Sequence, residues 1–358
     1  MLRRWQRAFD LANCDEIPWQ RLDEKKYLIT GSTGLIGSQF VRVLIARSML
    51  SNKEFEIILP VRSPEKAKEL FDDLNRSVQM PELYGNEPKC RLTFLKWELG
   101  DELPINRACD YVLHAACMTS SSDFKNKPVE VIESIINGTE CVLNYGLAHT
   151  ATRLIFLSTM EVYGDVSVEK SLSEHDLGAL DSSATRNSYP IAKLVSEALI
   201  TGYAQEYSVQ ALSLRLAQSF GVGVRKDDKR VFAEFGRSVV NGKDIVLFSD
   251  GKSKNSYLST NDAVKAILIA FARGEAGQVY NVANDDTFCS IYEMAELVAR
   301  QFGGKKSKVC FKEDKTRSAT FRKSSCLRLD ASKMRNLGWR PQDSLASMYQ
   351  EMIEDWEK

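Results

Sequence analysis

Long apolar runs are missing from this sequence. None approaches the roughly 18 residues that suggest a membrane span, and no signal-type apolar segment opens it. An excess of one charge is missing too. Lys and Arg total 48 and Asp and Glu total 48, so no net field draws nucleic acid or an acidic membrane. The eight cysteines, at 14, 90, 109, 117, 141, 289, 310 and 326, form no C-x-x-C and no zinc-spaced pair with a histidine. No metal is expected. With no targeting segment, the expected home is a reducing cytoplasm. Cys109, Cys117 and Cys141 read as small buried side chains. Neither an internal repeat nor a low-complexity tract is visible. What remains, 44% apolar and 27% charged over 358 residues, suits a globular protein of one large or two modest domains.

The stretch Tyr27 to Gly37 organises the rest. Tyr27, Leu28 and Ile29 read as a buried strand, and Gly31, Gly34 and Gly37 follow at three-residue intervals into an amphipathic helix, Leu35 to Leu50. A strand, a glycine turn and a helix N-terminus make an anion site suited to a pyrophosphate. From residue 25 the pattern alternates. Strands are predicted at Lys26 to Thr30, Phe55 to Val61, Arg91 to Trp97, Cys109 to His114, Thr152 to Ser158 and Val209 to Leu216. Helices are predicted at Pro64 to about Arg76, opened by Ser63 as N-cap, at Pro128 to Ala148 and at Tyr189 to Tyr207. Near-continuous apolar strands separated by helices indicate a parallel, doubly wound α/β sheet. Residues 1 to 24 read as an added helix docked on the main body or a second subunit, with Arg3, Arg4 and Arg7 on a solvated face. After residue 217 the elements mix. Helices at Val231 to Asn241, Asn261 to Arg273, Ile291 to Phe302 and Ser344 to Trp356 alternate with short strands at Asp244 to Phe248, Val279 to Val282 and Lys308 to Phe311. Segment 312 to 326 reads as a surface loop. The expected division is an extension (1–24), a dinucleotide-binding Rossmann domain (25–217 with about 258–284) and a smaller discontinuous α/β substrate lobe (218–257 and 285–358).

Tyr189 and Lys193 stand four apart at a helix start, on one face. An ammonium near a phenol favours phenolate, so Tyr189 is expected to have a lowered pKa and to move a proton at a substrate oxygen. Upstream, a strand ends in Ser158-Thr159-Met160-Glu161. Parallel sheets build their sites at such strand ends. A hydroxyl there can hold a substrate oxygen, and a carboxylate can move a carbon-bound proton.

These motifs, in order, resemble the extended short-chain dehydrogenase/reductases, in particular the NAD-dependent epimerase/dehydratase branch that acts on nucleotide sugars. The resemblance runs from residue 26 to 341. It rests on Thr30 to Gly37, on Val112 to Ala116, on Asn137-Gly138-Thr139 with its structural asparagine, on the Thr159 segment, on Tyr189 with Lys193, on Leu214 to Gly221, on Tyr280 to Ala283 and on Leu337 to Pro341. It implies that Tyr189 is the base, Thr159 holds the substrate oxygen, and Lys193 supports Tyr189 and a ribose. Glu161 is then a candidate acid/base at C5. The implied cofactor contacts are Gly31, Thr33, Gly34, Leu35, Ile36, Gly37, His114, Ala115, Ala116, Tyr189 and Lys193, with Glu98 and Leu99 near the adenine. The implied substrate contacts are Thr119, Ser158, Gln218, Arg230 and Asn255. Relatives dimerise through two helices that correspond to 128–148 and 189–207, which implies a homodimer.

Three departures shape the reading. Met160 replaces the Asp of some dehydratases, which argues against the dTDP-glucose dehydratase type and leaves the GDP-mannose dehydratase and UDP-glucuronate decarboxylase types open. Gln218 replaces an asparagine. Asn255 replaces an arginine that meets phosphates or a carboxylate, a role that Lys254, Arg230 or Arg322 could fill. Where an acid would bind the ribose 2′-hydroxyl of NAD, this chain has Arg62 and Ser63, with Lys66 a turn later. A guanidinium there fits a 2′-phosphate, so NADP is favoured over NAD. The leading expectation is a nucleotide-sugar epimerase, dehydratase or decarboxylase that recycles NAD(P) in place. The alternatives are an NADPH-dependent keto-sugar reductase that releases its cofactor, and a non-catalytic NAD(P)-binding regulator.

Overall fold

The computed structural model describes residues 3–72, 87–149, 152–166, 170–304, 307–312 and 326–357. Arg322, most of the segment expected as a loop and the end of the helix expected to reach Arg76 lie outside the described residues. Seven parallel strands form the main sheet. They are Lys26–Thr30 (β1), Phe55–Val61 (β2), Cys90–Lys96 (β3), Tyr111–His114 (β4), Arg153–Thr159 (β5), Gln210–Leu216 (β6) and Val279–Val282 (β7). Their order is β7-β6-β5-β4-β1-β2-β3. In β1, Tyr27 and Ile29 join one apolar core and Leu28 joins another. Both faces are therefore covered, which is why the strand sequence is apolar throughout. The helices Leu35–Ser51 and Thr260–Arg273 pack together on one face, and Pro128–Ala148 and Ser188–Tyr207 pack together on the other. The register sets Thr30 beside His114 and Thr159 beside Leu216.

The chain after β6 builds a second core around Phe220, Phe232, Tyr257, Met294 and Tyr349. A second sheet sits there that the sequence pattern does not announce. It orders Asn284–Ser290, Lys254–Ser259, Cys326–Leu329 and Ser171–Leu172, with Gln218–Phe220 alongside Lys254–Ser259. Trp339, expected in the substrate lobe, lies fully buried in the main core, and its indole N–H donates to the Asp262 carbonyl at 3.0 Å. Ser63 is the N-cap residue of the helix Pro64–Phe71 as expected, but its side chain makes no cap hydrogen bond; its hydroxyl turns to Glu65 at 3.5 Å. Asn137 is exposed, and the structural role belongs to Thr139, whose hydroxyl donates to the Ile135 carbonyl at 2.7 Å.

The N-terminal helix Arg3–Ala12 docks on the main body, burying Trp5, Ala8, Phe9 and Leu11 where it packs on Leu35–Ser51. Its arginines are not a solvated face. Arg4 pairs with Asp355 at 3.0 Å, and Arg7 pairs with Asp343 at 2.7 Å and Glu351 at 2.9 Å. Asp262, Asp343 and Glu351 crowd together here, and burial pushes Asp262 up to about 6 and Glu351 up to about 7. In the folded chain these two carboxyls keep protons that the unfolded chain has already released at about pH 5. Stability from this cluster is full at acid pH and is lost as pH rises through about 6 to 7. Glu351→Gln is expected to flatten that decline in urea melts run between about pH 5 and 8. A slope identical to that of the unsubstituted protein would contradict the assignment.

Candidate active site

The turn after β1 is built against the end of β4. Gly31 has φ +69°, and a Cβ there would lie 2.5 Å from the Ala115 carbonyl carbon and the Ala116 nitrogen. Gly37 packs directly on the Gly31 carbonyl, so the helix Leu35–Ser51 starts flush with the strand end. Thr30 ties the two strands. Its Oγ1 accepts the Ala116 N–H at 3.2 Å and lies 2.8 Å from His114 Nδ1. Burial, followed by the Lys193 charge, pushes His114 down to about 3, so the ring is neutral and structural. Thr33 and Gly34 are exposed at the crevice mouth, with Leu35 and Ile36 half-buried behind them. Arg62 is exposed at the end of β2, and no carboxylate among the described residues pairs with it. Glu98 is exposed, while Leu99 packs on Gly138. A glycine cradle that a side chain would fill, a helix N-terminus and an available guanidinium suit a dinucleotide's phosphates.

The chemical groups gather at the end of β5. Thr159 caps the short 3-10 turn Met160–Tyr163, its Oγ1 accepting the Glu161 N–H at 3.2 Å. The Glu161 carboxylate receives Arg186 Nη2 at 2.7 Å. Arg186 lies over the Phe124 ring at 5.1 Å, and Phe124 stacks on Tyr189 with centroids 4.5 Å apart and planes 7° apart. Thr159, Glu161, Tyr189 and Lys193 thus come together as expected. The electrostatics do not. The Lys193 Nζ donates to the Leu157 carbonyl at 2.7 Å, lies over Phe156 at 4.3 Å and stands 6.0 Å from the Tyr189 ring centre. Burial holds the Tyr189 phenol well above its ordinary pKa. Cys117 and Glu161 add to that, and a hydrogen bond from Thr159 and the Arg186 charge oppose it. The expected lowering does not appear: burial is the largest influence on the phenol, and the Lys193 ammonium bonds the Leu157 carbonyl and not Tyr189. Cys117, expected as a plain buried side chain, lies beside this ammonium.

Ser158 is a correction of a different kind. It was expected at the substrate, but it is buried and its hydroxyl donates to Glu197. Glu197 also takes Arg215 Nη2 at 2.7 Å and Nε at 3.0 Å, in a fully enclosed pair. Arg215 lies over Tyr163 at 5.0 Å, whose hydroxyl donates to Asn281 at 2.7 Å. This network props the Thr159–Glu161 turn from below. Thr119 is exposed and Gln218 half-buried. Asn255, also half-buried, lies beside the Tyr257 hydroxyl. Arg230 turns away to Asp228 at 2.6 Å and the Phe232 ring at 4.7 Å, so it is not brought to the catalytic group. Arg186, Phe124 and Glu197 are absent from the sequence expectations. Position could have flagged two of them, since Arg186 falls three residues before Tyr189 and Glu197 four after Lys193.

A profile of the NAD dependent epimerase/dehydratase family matches residues 27–283. The chain belongs to that family. UDP-N-acetyl-alpha-D-glucosaminuronate decarboxylase of Bacillus cytotoxicus is 30% identical over 278 residues, covering 76% of this chain and 79% of the relative. The low-salt glycan biosynthesis protein Agl12 of Haloferax volcanii is 23% identical over 315 residues, covering 88% and 93%. The solved structure of UDP-glucose 4-epimerase from Thermotoga maritima has a TM-score of 0.71 at 23% identity, covering 93% of this chain and 98% of that one. Membership of that family makes the chain an enzyme of the NAD-dependent epimerase/dehydratase class. Among the described residues no group of three metal-ligating side chains occurs, and no helix is long and apolar enough to cross a membrane.

Removing the Glu197 carboxylate strands Arg215 as a buried charge. Glu197→Gln is expected to cost about 3–5 kcal/mol in urea unfolding. An unchanged unfolding midpoint would show that the pair does not hold the turn.

Proposed function

We propose that the chain is a nucleotide-sugar epimerase, dehydratase or decarboxylase that works through a keto intermediate. The observation that carries this is the convergence of Thr159, Glu161 and Tyr189 at the end of β5, at the same end of the sheet as the glycine cradle after β1, with β4 between them. When bound, the nicotinamide supplies a hydride acceptor and donor. The rest falls to this chain's residues. Thr159 holds the carbinol oxygen, and Tyr189 takes its proton as the carbinol becomes a ketone. The ketone acidifies the neighbouring C–H or loosens a neighbouring carboxylate. Glu161 takes or returns the proton at that carbon. Lys193 is the cation within reach of both the phenol and a ribose, and its release from the Leu157 carbonyl would favour phenolate. Met160 beside Thr159 supports the decarboxylase or GDP-mannose dehydratase pattern over the dTDP-glucose type. The Bacillus relative, a decarboxylase by name, agrees with that choice. A homodimer belongs to the same reading, with Val129, Leu147, Val195 and Tyr207 exposed on the two helices that would meet.

Arg62 supports NADP as the cofactor, and with it a second reading as a reductase that releases oxidised cofactor. Purified protein incubated with UDP-glucuronic acid, UDP-glucose, dTDP-glucose and GDP-mannose separates the two. Turnover without net change in cofactor is expected; stoichiometric consumption of added NADPH would favour the reductase. Tyr189→Phe is expected to lower turnover by about 10²–10⁴-fold with the fold intact. Arg62→Ala is expected to weaken NADPH binding roughly tenfold or more while sparing NADH, by fluorescence titration. Equal losses for both cofactors would assign Arg62 no role at the 2′ position.

A further inference from the structure

Glu161 has a fixed partner that the proposed chemistry does not yet use. Its carboxylate receives Arg186 Nη2 at 2.7 Å, and the Arg186 guanidinium lies 5.1 Å from the Phe124 ring centre. Phe124 in turn stacks on Tyr189, 4.5 Å away and nearly coplanar. A guanidinium is flat, so one face can rest on an aromatic ring while its edge N–H groups reach a carboxylate. Both partners of the pair are partly exposed, at 32% for Arg186 and 25% for Glu161. A pair in such a setting adds little to folding stability. It does fix a side chain. Glu161 sits on a turn whose backbone Thr159 already caps, so the rotamer is the freedom that remains, and Arg186 removes it.

We propose that Arg186 is a positioning residue: resting on the Phe124 ring, it aims the Glu161 carboxylate at the carbon next to the keto group and registers that carboxylate with the Tyr189 ring. This rests on the reading of the chain as a nucleotide-sugar enzyme with a keto intermediate. It assigns Arg186 to the proton step at carbon and not to the hydride step, which depends on Tyr189 and Thr159. Glu161 takes the proton from the carbon, and the electron pair of that C–H bond passes into the carbonyl. Return of a proton from Glu161 to carbon reverses the step.

The test separates the two steps. UDP-glucuronic acid, GDP-mannose and dTDP-glucose are offered to the holoenzyme in D2O. The first hydride step is read from the near-ultraviolet absorbance of reduced nicotinamide, and the proton step from deuterium at the carbon next to the keto position. Arg186→Gln is expected to lower deuterium incorporation roughly 10- to 100-fold, part of the full value of an acid/base group, and to change the hydride step only a few-fold. Arg186→Lys is expected to restore part of the loss, because an ammonium still pairs with the carboxylate but lacks the flat fork. Glu161→Gln should lose at least as much as Arg186→Gln, and the double substitution should be no worse than Glu161→Gln alone. Equal loss of both steps, additive losses in the double variant, or wild-type deuterium incorporation in Arg186→Gln would overturn the proposal. If Arg186→Gln melts well below wild type, Arg186→Lys decides alone, and unchanged incorporation in it overturns the proposal. Wild-type turnover without any deuterium incorporation also overturns it, while leaving the keto-intermediate reading standing. No reaction of the wild type with any of the three sugars overturns that reading and the proposal with it.

Discussion

The approach of Gly31 to the end of β4 is the contact on which the rest of the molecule depends. The chain leaves β1 for β2 and β3 on one side, then returns to β4 and β5 on the other. A crevice forms where that direction reverses, and Gly31 lines it with bare backbone because Ala115 and Ala116 leave no room for a Cβ. Thr30 and His114 lock the two strand ends at a single spacing. The next strand over, β5, is in register with β4 and brings Thr159 and Glu161 to the same end of the sheet.

Two charged networks keep that arrangement in place, and they work differently. The Glu197–Arg215 pair is enclosed and lies under the Thr159 turn, holding Ser158 and Tyr163 from the inside. The acid cluster of Asp262, Asp343 and Glu351 meets the N-terminal helix through Arg7, with Arg3 also reaching Glu351 at 4.0 Å, and burial still holds Asp262 and Glu351 above the ordinary carboxyl range. The first network specifies geometry. The second joins the first residues of the chain to the last helix and makes that junction sensitive to protons.

Much of this was legible in the sequence, and the limits have physical causes. The main-sheet strands announced themselves because strands buried on both faces carry runs such as Phe55–Val61, which no solvated segment resembles. The second sheet was silent. Its strands are short, like Gln218–Phe220, or polar, like Asn284–Ser290, and leave no apolar period to read. Within the site, Tyr189 and Lys193 were visible from helical spacing taken together with the Thr159 strand end and the ordered family motifs. Spacing says that two side chains share a face; it does not say where an ammonium points, and Lys193 points at the Leu157 carbonyl. Ser158 and Thr159 are neighbours in a strand, so one faces inward and the other outward. The sequence offered both as substrate contacts, and burial assigns Ser158 to the interior. The arginines of the N-terminal helix looked like a solvated face because their acidic partners lie more than three hundred residues away.

The central claim is that one hydride leaves the sugar, waits in the crevice beside Tyr189 and returns to the same sugar. A nucleotide sugar carrying deuterium on the carbinol carbon that is oxidised tests it most directly. A mixture of labelled and unlabelled sugar would be turned over without added cofactor and the products weighed by mass spectrometry. The account predicts that deuterium stays in the product of the molecule that carried it, with none in the unlabelled partner. Deuterium lost from the sugar and recovered in free NADPH would contradict it.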